Sequence, residues 1–139
     1  MQVEKEILYP HEFEPLKTIL SDPTFVLPRV FPPIKNTRFK EGSFESNGKF
    51  MGMQFNIEGN YYIGSESVTY TFILKAGRWK GNGKLVIELK PQQRKINVKF
   101  SYEGWMDTLS KTFFMSKWFN DFASKLDEEV RLERIRRKI

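Results

Sequence analysis

The stretch Leu20–Ile34, LSDPTFVLPRVFPPI, places four prolines among large apolar residues. Because proline has no backbone N–H to donate, these prolines exclude a central β-strand, and they follow one another too closely for a long helix. Asp22 before Pro23 is typical of a helix N-cap followed by a proline in the first turn. The stretch therefore predicts a brief helix that begins over Thr24–Leu27 and is stopped by Pro28.

The segments on either side of this stretch show two different hydrophobic periods. Residues 2–9 alternate as in a short strand that ends at Pro10, and Glu12–Leu20 has apolar residues at helical spacing. From about residue 35 to 105 the period is two, interrupted by turn residues. This pattern predicts an antiparallel meander of about five strands with one apolar face.

Two glycines inside the meander lead to specific predictions. Asn47-Gly48 is typical of a two-residue hairpin turn, here between SFE and KFMGMQFNIEG. Gly59 interrupts the long strand 49–63 and predicts a β-bulge that helps to curl the sheet. A curled sheet with one apolar face needs a second layer to cover that face.

The C-terminal segment has the period of a long amphipathic helix, which starts between Asp107 and Ser116 and ends at about Arg137. This helix is long enough to lie across the apolar face of the sheet. We expect the proline-rich stretch to brace one end of it, with Phe25 and Phe31 pointing into the space beneath. The apolar stripe of the helix consists of Met115, Trp118, Phe119, Phe122, Leu126 and Val130.

This order of elements resembles the helix-grip fold of the START-like, or SRPBCC, superfamily, which includes lipid-transfer domains, birch-pollen-allergen-like proteins and aromatic polyketide cyclases. In many members an Asp-Pro dipeptide and an apolar run follow the first helix, and LSDPTFVLPRVFPPI is similar to that segment. The spacing to GSFE at 42–45 is most similar to proteins like the G-type subunit of carbon-monoxide dehydrogenase and to small uncharacterised archaeal relatives.

The resemblance implies an α+β protein with one START-like ligand-binding domain over residues 1–139. In this helix-grip fold, two short helices follow the first strand, and a curved antiparallel sheet of about six to seven strands wraps around a long C-terminal helix. One departure limits the comparison. Plant members of the allergen branch have a glycine-rich loop between the second and third strands, whereas Ser46-Asn47-Gly48 predicts only a tight turn here.

Composition narrows the functional classes. The chain has no cysteine, which excludes disulfides, thiolate metal sites and a cysteine nucleophile. His11 is the only histidine, and we expect a capping or surface role for it rather than that of a base or a zinc ligand. The glycine-rich run at 77–84 lacks the strand-to-helix context of a phosphate loop. We expect no cofactor and no metal, and the abundance of Lys, Arg and Glu is compatible with a thermophile.

The net charge of +6 is concentrated at the end of the chain, in VRLERIRRKI. Such charges favourably face the negative end of a helix dipole, so nucleic-acid binding is not expected. A weak contact with an acidic membrane or a protein stays open for this basic tail. The absence of a signal-peptide core and of a long apolar run predicts a cytoplasmic protein, either a monomer or a homodimer. The basic tail consists of Arg131, Arg134, Arg136, Arg137 and Lys138.

The first functional hypothesis is the binding (storage, transport or sensing) of a small hydrophobic molecule such as a lipid, isoprenoid or aromatic metabolite. The ligand would lie in a cavity between the sheet and the C-terminal helix, and a tightly filled core is the alternative. Tyr70 and Tyr102 are candidates to orient a ligand oxygen. The candidate ligand-binding residues are Phe25, Phe31, Met53, Phe55, Tyr70, Phe72, Ile87, Phe100, Tyr102, Met115, Trp118 and Phe122.

Two other hypotheses remain. A cyclase, dehydratase or hydrolase acting on a similar substrate needs a buried ionisable group, and the sequence offers Glu45, Glu58, Glu88 and Tyr102 without a recognisable catalytic constellation. An accessory or assembly factor of a redox enzyme is implied by the carbon-monoxide-dehydrogenase resemblance, with the basic tail contacting an acidic membrane.

Overall fold

The computed structural model describes residues 1–105 and 109–139, with the side chains of residues 109–113 left aside. In chain order, the elements are β1 (Gln2–Leu8), α1 (Phe13–Leu20), α2 (Pro23–Val30), β2 (Ile34–Lys40), β3 (Ser43–Phe50), β4 (Met53–Ile63), β5 (Ser67–Ala76), β6 (Trp79–Lys90), β7 (Lys95–Gly104) and α3 (Leu109–Arg137). The predicted α+β helix-grip architecture is thereby confirmed. The long helix begins and ends where the sequence predicted.

The seven strands form one antiparallel sheet in the order β1-β7-β6-β5-β4-β3-β2. The strands β2 to β7 form a meander, which is one strand longer than predicted. The first strand pairs with the last, with Gln2 opposite Ser101 and Leu8 opposite Lys95. The helices α1 and α2 connect the two edges of the sheet, and α3 covers its inner face.

A row of alternating glycine and aromatic residues crosses the middle of the sheet and explains its curvature. Gly59, Phe72, Gly83 and Tyr102 are successive partners on β4 to β7. A Cβ atom on Gly83 would lie 2.5 Å from the Phe72 ring, so only glycine allows this ring to lie across the strand. The rings of Phe72 and Tyr102 consequently stack 6.3 Å apart above β6.

The predicted bulge at Gly59 is wrong. Pairing with β3 and with β5 continues through Gly59 without a change of register. A Cβ atom at this position would lie 1.9 Å from the Thr71 carbonyl oxygen. The residue is glycine because the neighbouring backbone comes close, not because the strand contains an extra residue.

The predicted hairpin at Asn47-Gly48 is also wrong, because both residues lie within β3. The turns are at Glu41-Gly42 and Met51-Gly52, where the glycines have φ values of 83° and 81°. A Cβ atom on Gly48 would lie 2.2 Å from the Pro33 carbonyl oxygen. Gly48 therefore allows the proline-rich segment to contact the sheet. The connection between the second and third strands is indeed tight, but it lies at Glu41-Gly42.

The helix α2 begins as predicted, since Asp22 Oδ1 accepts a hydrogen bond of 2.9 Å from the Thr24 N–H. It continues through Pro28 to Val30, contrary to the expectation that Pro28 stops it. The missing N–H of Pro28 costs one bond to the Thr24 carbonyl, and Thr24 is exposed to water. The apolar side chains of α2 are buried, and this burial outweighs the loss.

Candidate hydrophobic site between the sheet and the long helix

Phe31, at the C-terminal end of α2, lies between the sheet and α3. Its ring centroid is 5.3 Å from that of Phe72, 5.9 Å from that of Phe100 and 6.5 Å from that of Trp118, with edge-to-face geometry in each case. These contacts join the sheet, α2 and α3. Phe31 thus occupies the space beneath the helix, as the sequence analysis expected. Phe25 instead packs 3.9 Å beneath the Arg29 guanidinium group of its own helix.

The buried part of the site is a group of stacked rings on β5, β7 and α3. Phe72 and Phe100 stack at 6.2 Å, and Phe100 stacks on Phe119 of α3 at 6.0 Å. The inner ring group, as we call it, is almost inaccessible to water. It consists of Phe31, Phe72, Phe100, Tyr102 and Phe119.

The second part of the site reaches the protein surface. Phe50, at the end of β3, lies 5.2 Å from both Phe114 and Trp118 of α3. All three residues are only partly buried, and we call them the aromatic rim. Trp118 contacts Phe31 of the inner ring group as well as Phe50 of the rim. One apolar surface therefore runs from the interior to solvent.

The structure brings together five of the predicted ligand-binding residues in these contacts: Phe31, Phe72, Phe100, Tyr102 and Trp118. Phe55, Tyr70, Ile87, Met115 and Phe122 are buried in the same core, whereas Met53 is 38% exposed at the start of β4. Phe50, Phe114 and Phe119 were not among the predicted site residues. Phe119 belonged to the predicted helical stripe, so the sequence contained a signal for it. Phe50 lies beside the turn that was placed wrongly.

The two tyrosines proposed to orient a ligand donate hydrogen bonds to the backbone instead. The Tyr70 hydroxyl donates to the Leu20 carbonyl at 2.7 Å and is fully buried, and this burial raises its pKa. The Tyr102 hydroxyl donates to the Trp105 carbonyl. A tyrosine hydroxyl has a single hydrogen to donate, so neither tyrosine has one left for a ligand oxygen.

The candidate acids lie on the outer face of the sheet, away from α3. Glu45, Glu58 and Glu88 are exposed or half-buried there and form ion pairs with the cations of neighbouring strands. The Glu45–Arg38, Glu58–Lys75 and Glu88–Lys99 distances are 2.7, 2.6 and 3.3 Å. Burial, which would make these carboxyl groups useful as acids or bases, is missing. In the described part of the chain, no group of acidic and histidine side chains is arranged to hold a metal ion.

The arginines of the basic tail pair within the chain. Arg131 pairs with Glu128, Arg136 with Glu133, and Arg137 with both Glu133 and Asp22. Arg134 donates to the Ile139 carbonyl at 3.0 Å. The two hydrogen-bonded arginines hold the pKa of the half-enclosed Glu133 carboxyl at about 2. The tail thus fastens the end of α3 to the start of α2.

His11 belongs to the same region and is buried, which corrects the expectation of a surface role. Its Nε2 atom lies 2.8 Å from Asp127 Oδ1, and its Nδ1 atom lies 3.4 Å from an Arg134 nitrogen. Both ring nitrogens face polar groups of α3. His11 therefore connects the strand-to-helix junction to α3 rather than facing the aromatic rim.

Solved structures with the same fold define the class of this protein. The chain aligns with a conserved protein from Geobacillus kaustophilus at 14% identity, with 94% and 95% of the two chains covered and a TM-score of 0.74. It aligns with Ara h 8.0201 at 14% identity, with 94% and 97% covered and a TM-score of 0.61. The fold is accordingly the helix-grip fold of birch-pollen-allergen-like proteins.

A relative with higher identity and a family model define the family. A hypothetical protein from Sulfolobus tokodaii is 33% identical, with 99% of each chain covered and a TM-score of 0.71. A family model matches residues 1–139, the whole chain. The chain belongs to this family. A comparison with curated proteins gives no match, and the narrower resemblance to the carbon-monoxide-dehydrogenase proteins stays a prediction. In the described residues, no helix has the length and apolar character needed to cross a membrane.

Proposed function

We propose that the protein binds a small hydrophobic molecule, such as a lipid, an isoprenoid or an aromatic metabolite, between the sheet and α3. The supporting observation is the continuity of the apolar surface through Trp118, which contacts both the buried Phe31 and the partly exposed Phe50. A ligand entering at the aromatic rim exchanges contact with water for contact with rings. This exchange is worth about 25 cal/mol per Å² of apolar surface, less the cost of immobilising the ligand.

The fold supports the same proposal, since the superfamily that the chain resembles includes lipid-transfer domains. The enzyme hypothesis has less support, because Glu45, Glu58 and Glu88 are on the outer face and the Tyr102 hydroxyl is bonded to the backbone. The accessory-factor hypothesis has lost its proposed contact surface, because the arginines of the basic tail have partners within the chain.

The test compares two phenylalanines of similar type in different places. Phe50 belongs to the aromatic rim, whereas Phe39 on the edge strand β2 is 51% exposed and contacts Tyr61. We expect 1-anilinonaphthalene-8-sulfonate to bind the native protein and to be displaced by a fatty acid or a terpenoid alcohol. Phe50→Ala should change the displacement constant about tenfold, or ~1.4 kcal/mol, and Phe39→Ala should leave it unchanged.

The proposal is wrong if the native protein does not bind the dye. It is also wrong if displacement responds equally to Phe50→Ala and Phe39→Ala, because binding then involves the general surface. Circular dichroism and urea unfolding of both variants show whether each one keeps the native fold.

A further inference from the structure

Two neighbouring hairpin tips project from the same end of the sheet, the end at which the aromatic rim lies. One tip is Lys49–Gln54, between β3 and β4, and the other is Lys75–Lys80, between β5 and β6. Because β4 and β5 are adjacent and antiparallel, both turns are at the same edge of the sheet, roughly two strand spacings, or about 10 Å, apart.

Both tips expose large apolar side chains. Met51 is 81% exposed, Trp79 is 46% exposed and Met53 is 38% exposed. Met51 has a φ of 52°, and Gly52 after it has a φ of 81°. Hairpin turns with two positive φ values favour Asn-Gly, and a long side chain is strained at the first position. Met51 therefore neither fills the core nor suits its turn, and folding alone does not account for it.

The charges of the two tips have one sign. The segments KFMGMQ and KAGRWK contain four cationic residues and no acidic residue. Lys75 pairs with Glu58 at 2.6 Å, and the Arg78 guanidinium lies 5.1 Å from the centre of the Trp79 ring. Lys49 and Lys80 are exposed and form no ion pair with the part of the chain that the structure describes. The tips thus differ from the basic tail, whose arginines are paired internally.

The opposite end of the sheet lacks this combination. The turns between β2 and β3 and between β4 and β5 contain Glu41 and Glu66, so their charge is mixed. Exposed methionine and tryptophan beside lysine and arginine match the water–lipid boundary, where tryptophan rings sit at headgroup level and cations meet anionic headgroups. A nucleic acid would engage the cations but would leave the methionines without an apolar partner.

We propose that the protein docks on an anionic membrane surface through these two tips, with Met51 and Trp79 inserted among the lipids and Lys49, Arg78 and Lys80 at the headgroups. Docking does not require a ligand, so it goes beyond the proposed function. It would place the aromatic rim against the lipid layer, where a hydrophobic molecule passes to the protein without crossing water.

The decisive variant is Met51→Asn, because it removes the apolar tip and supplies the residue that the turn favours. We expect Met51→Asn to melt at the same temperature as the native protein or at a higher one, so weaker membrane binding would not result from unfolding. In sedimentation with vesicles of phosphatidylcholine containing phosphatidylglycerol, its affinity should fall about tenfold. Lys80→Glu should have a similar effect, and vesicles of pure phosphatidylcholine should bind the native protein weakly.

Matched controls lie at the far end of the molecule. Ile135 is an exposed apolar residue of α3, 62% accessible, and Lys138 is the last cation. Ile135→Asn and Lys138→Glu should leave vesicle binding unchanged. The proposal is overturned if the native protein does not bind anionic vesicles, if pure phosphatidylcholine binds it equally well, or if the control variants lose as much affinity as the tip variants.

Discussion

Trp118 and Phe119 are neighbours on α3 with different surroundings. Phe119 is fully buried against Phe100, whereas Trp118 is partly buried between Phe31 and the rim. Phe119→Ala should therefore cost ~3–5 kcal/mol of unfolding free energy, the usual cost of a buried cavity. Trp118→Ala, although it removes the larger ring, should cost only about 2 kcal/mol, because part of that ring lies at the surface. Urea unfolding measures both. Equal losses would show that Trp118 is packed as tightly as Phe119 and would favour a closed core.

Gly48 is the residue at which the proline-rich segment contacts the sheet. A Cβ atom there would lie 2.2 Å from the Pro33 carbonyl oxygen and 2.7 Å from the end of the Phe55 ring. The first of these atoms belongs to backbone and has little freedom to move. Gly48→Ala should therefore destabilise the protein by about 2–3 kcal/mol through overpacking. The control is Gly52→Ala, which has open space around its Cβ but a φ of 81°, so it reports backbone strain alone. A Gly48→Ala variant as stable as the native protein would contradict the contact.

At the scale of elements, the junction between α2 and the end of α3 depends on Glu133. Its pKa of about 2 in the folded protein is below the ordinary value of 4.5 because Arg136 and Arg137 hydrogen-bond to the charged carboxylate. A group with a lowered folded pKa stabilises the protein fully above its unfolded pKa and loses this contribution as the pH falls toward the folded one. We expect Glu133→Gln to be less stable by about 2 kcal/mol at neutral pH, with a smaller loss of stability between pH 4.5 and 2 than the native protein.

Glu128→Gln is the matched control for this prediction. Glu128 forms a similar pair with Arg131 on the same helix, but both side chains are largely exposed. Surface pairs contribute little, so this variant should follow the native pH dependence. Urea unfolding at several acidic pH values makes the comparison. Identical acid profiles for native protein and Glu133→Gln would rule out a role for this carboxyl in acid stability.

The elements themselves were predictable where one local pattern governs them. The stripe from Met115 to Val130 gave the long helix, and Asp22-Pro23 gave the start of α2. Errors arose where distant contacts govern a residue. Gly48 and Gly59 are glycines because Pro33 and Thr71 approach them, and no local pattern distinguishes such a glycine from a turn or a bulge. Likewise, nothing near Tyr70 in sequence shows that its hydroxyl bonds to Leu20, 50 residues away.

At the scale of the whole molecule, the two ends of the sheet differ in chemistry. At one end, the basic tail, His11, Asp22 and Glu133 form a network of paired charges. At the other end lie the aromatic rim and the two hairpin tips with exposed methionine and tryptophan. The sequence placed Phe31 and Trp118 in the site, but Phe50 and Phe114 became visible only once the strands were in register. Basic residues were counted from the sequence, whereas their partners required the structure.

The pairing of β1 with β7 affects how the chain is assembled during synthesis. The amino group of Met1 donates to the carbonyl of Tyr102, a partner 101 residues further along the chain. The hairpins from β2 to β7 join neighbouring segments and close as they leave the ribosome, whereas the first strand must wait for the last one. The helix α3 is made later still. A nascent chain therefore exposes its aromatic inner face, with one sheet edge unpaired, until translation is almost complete.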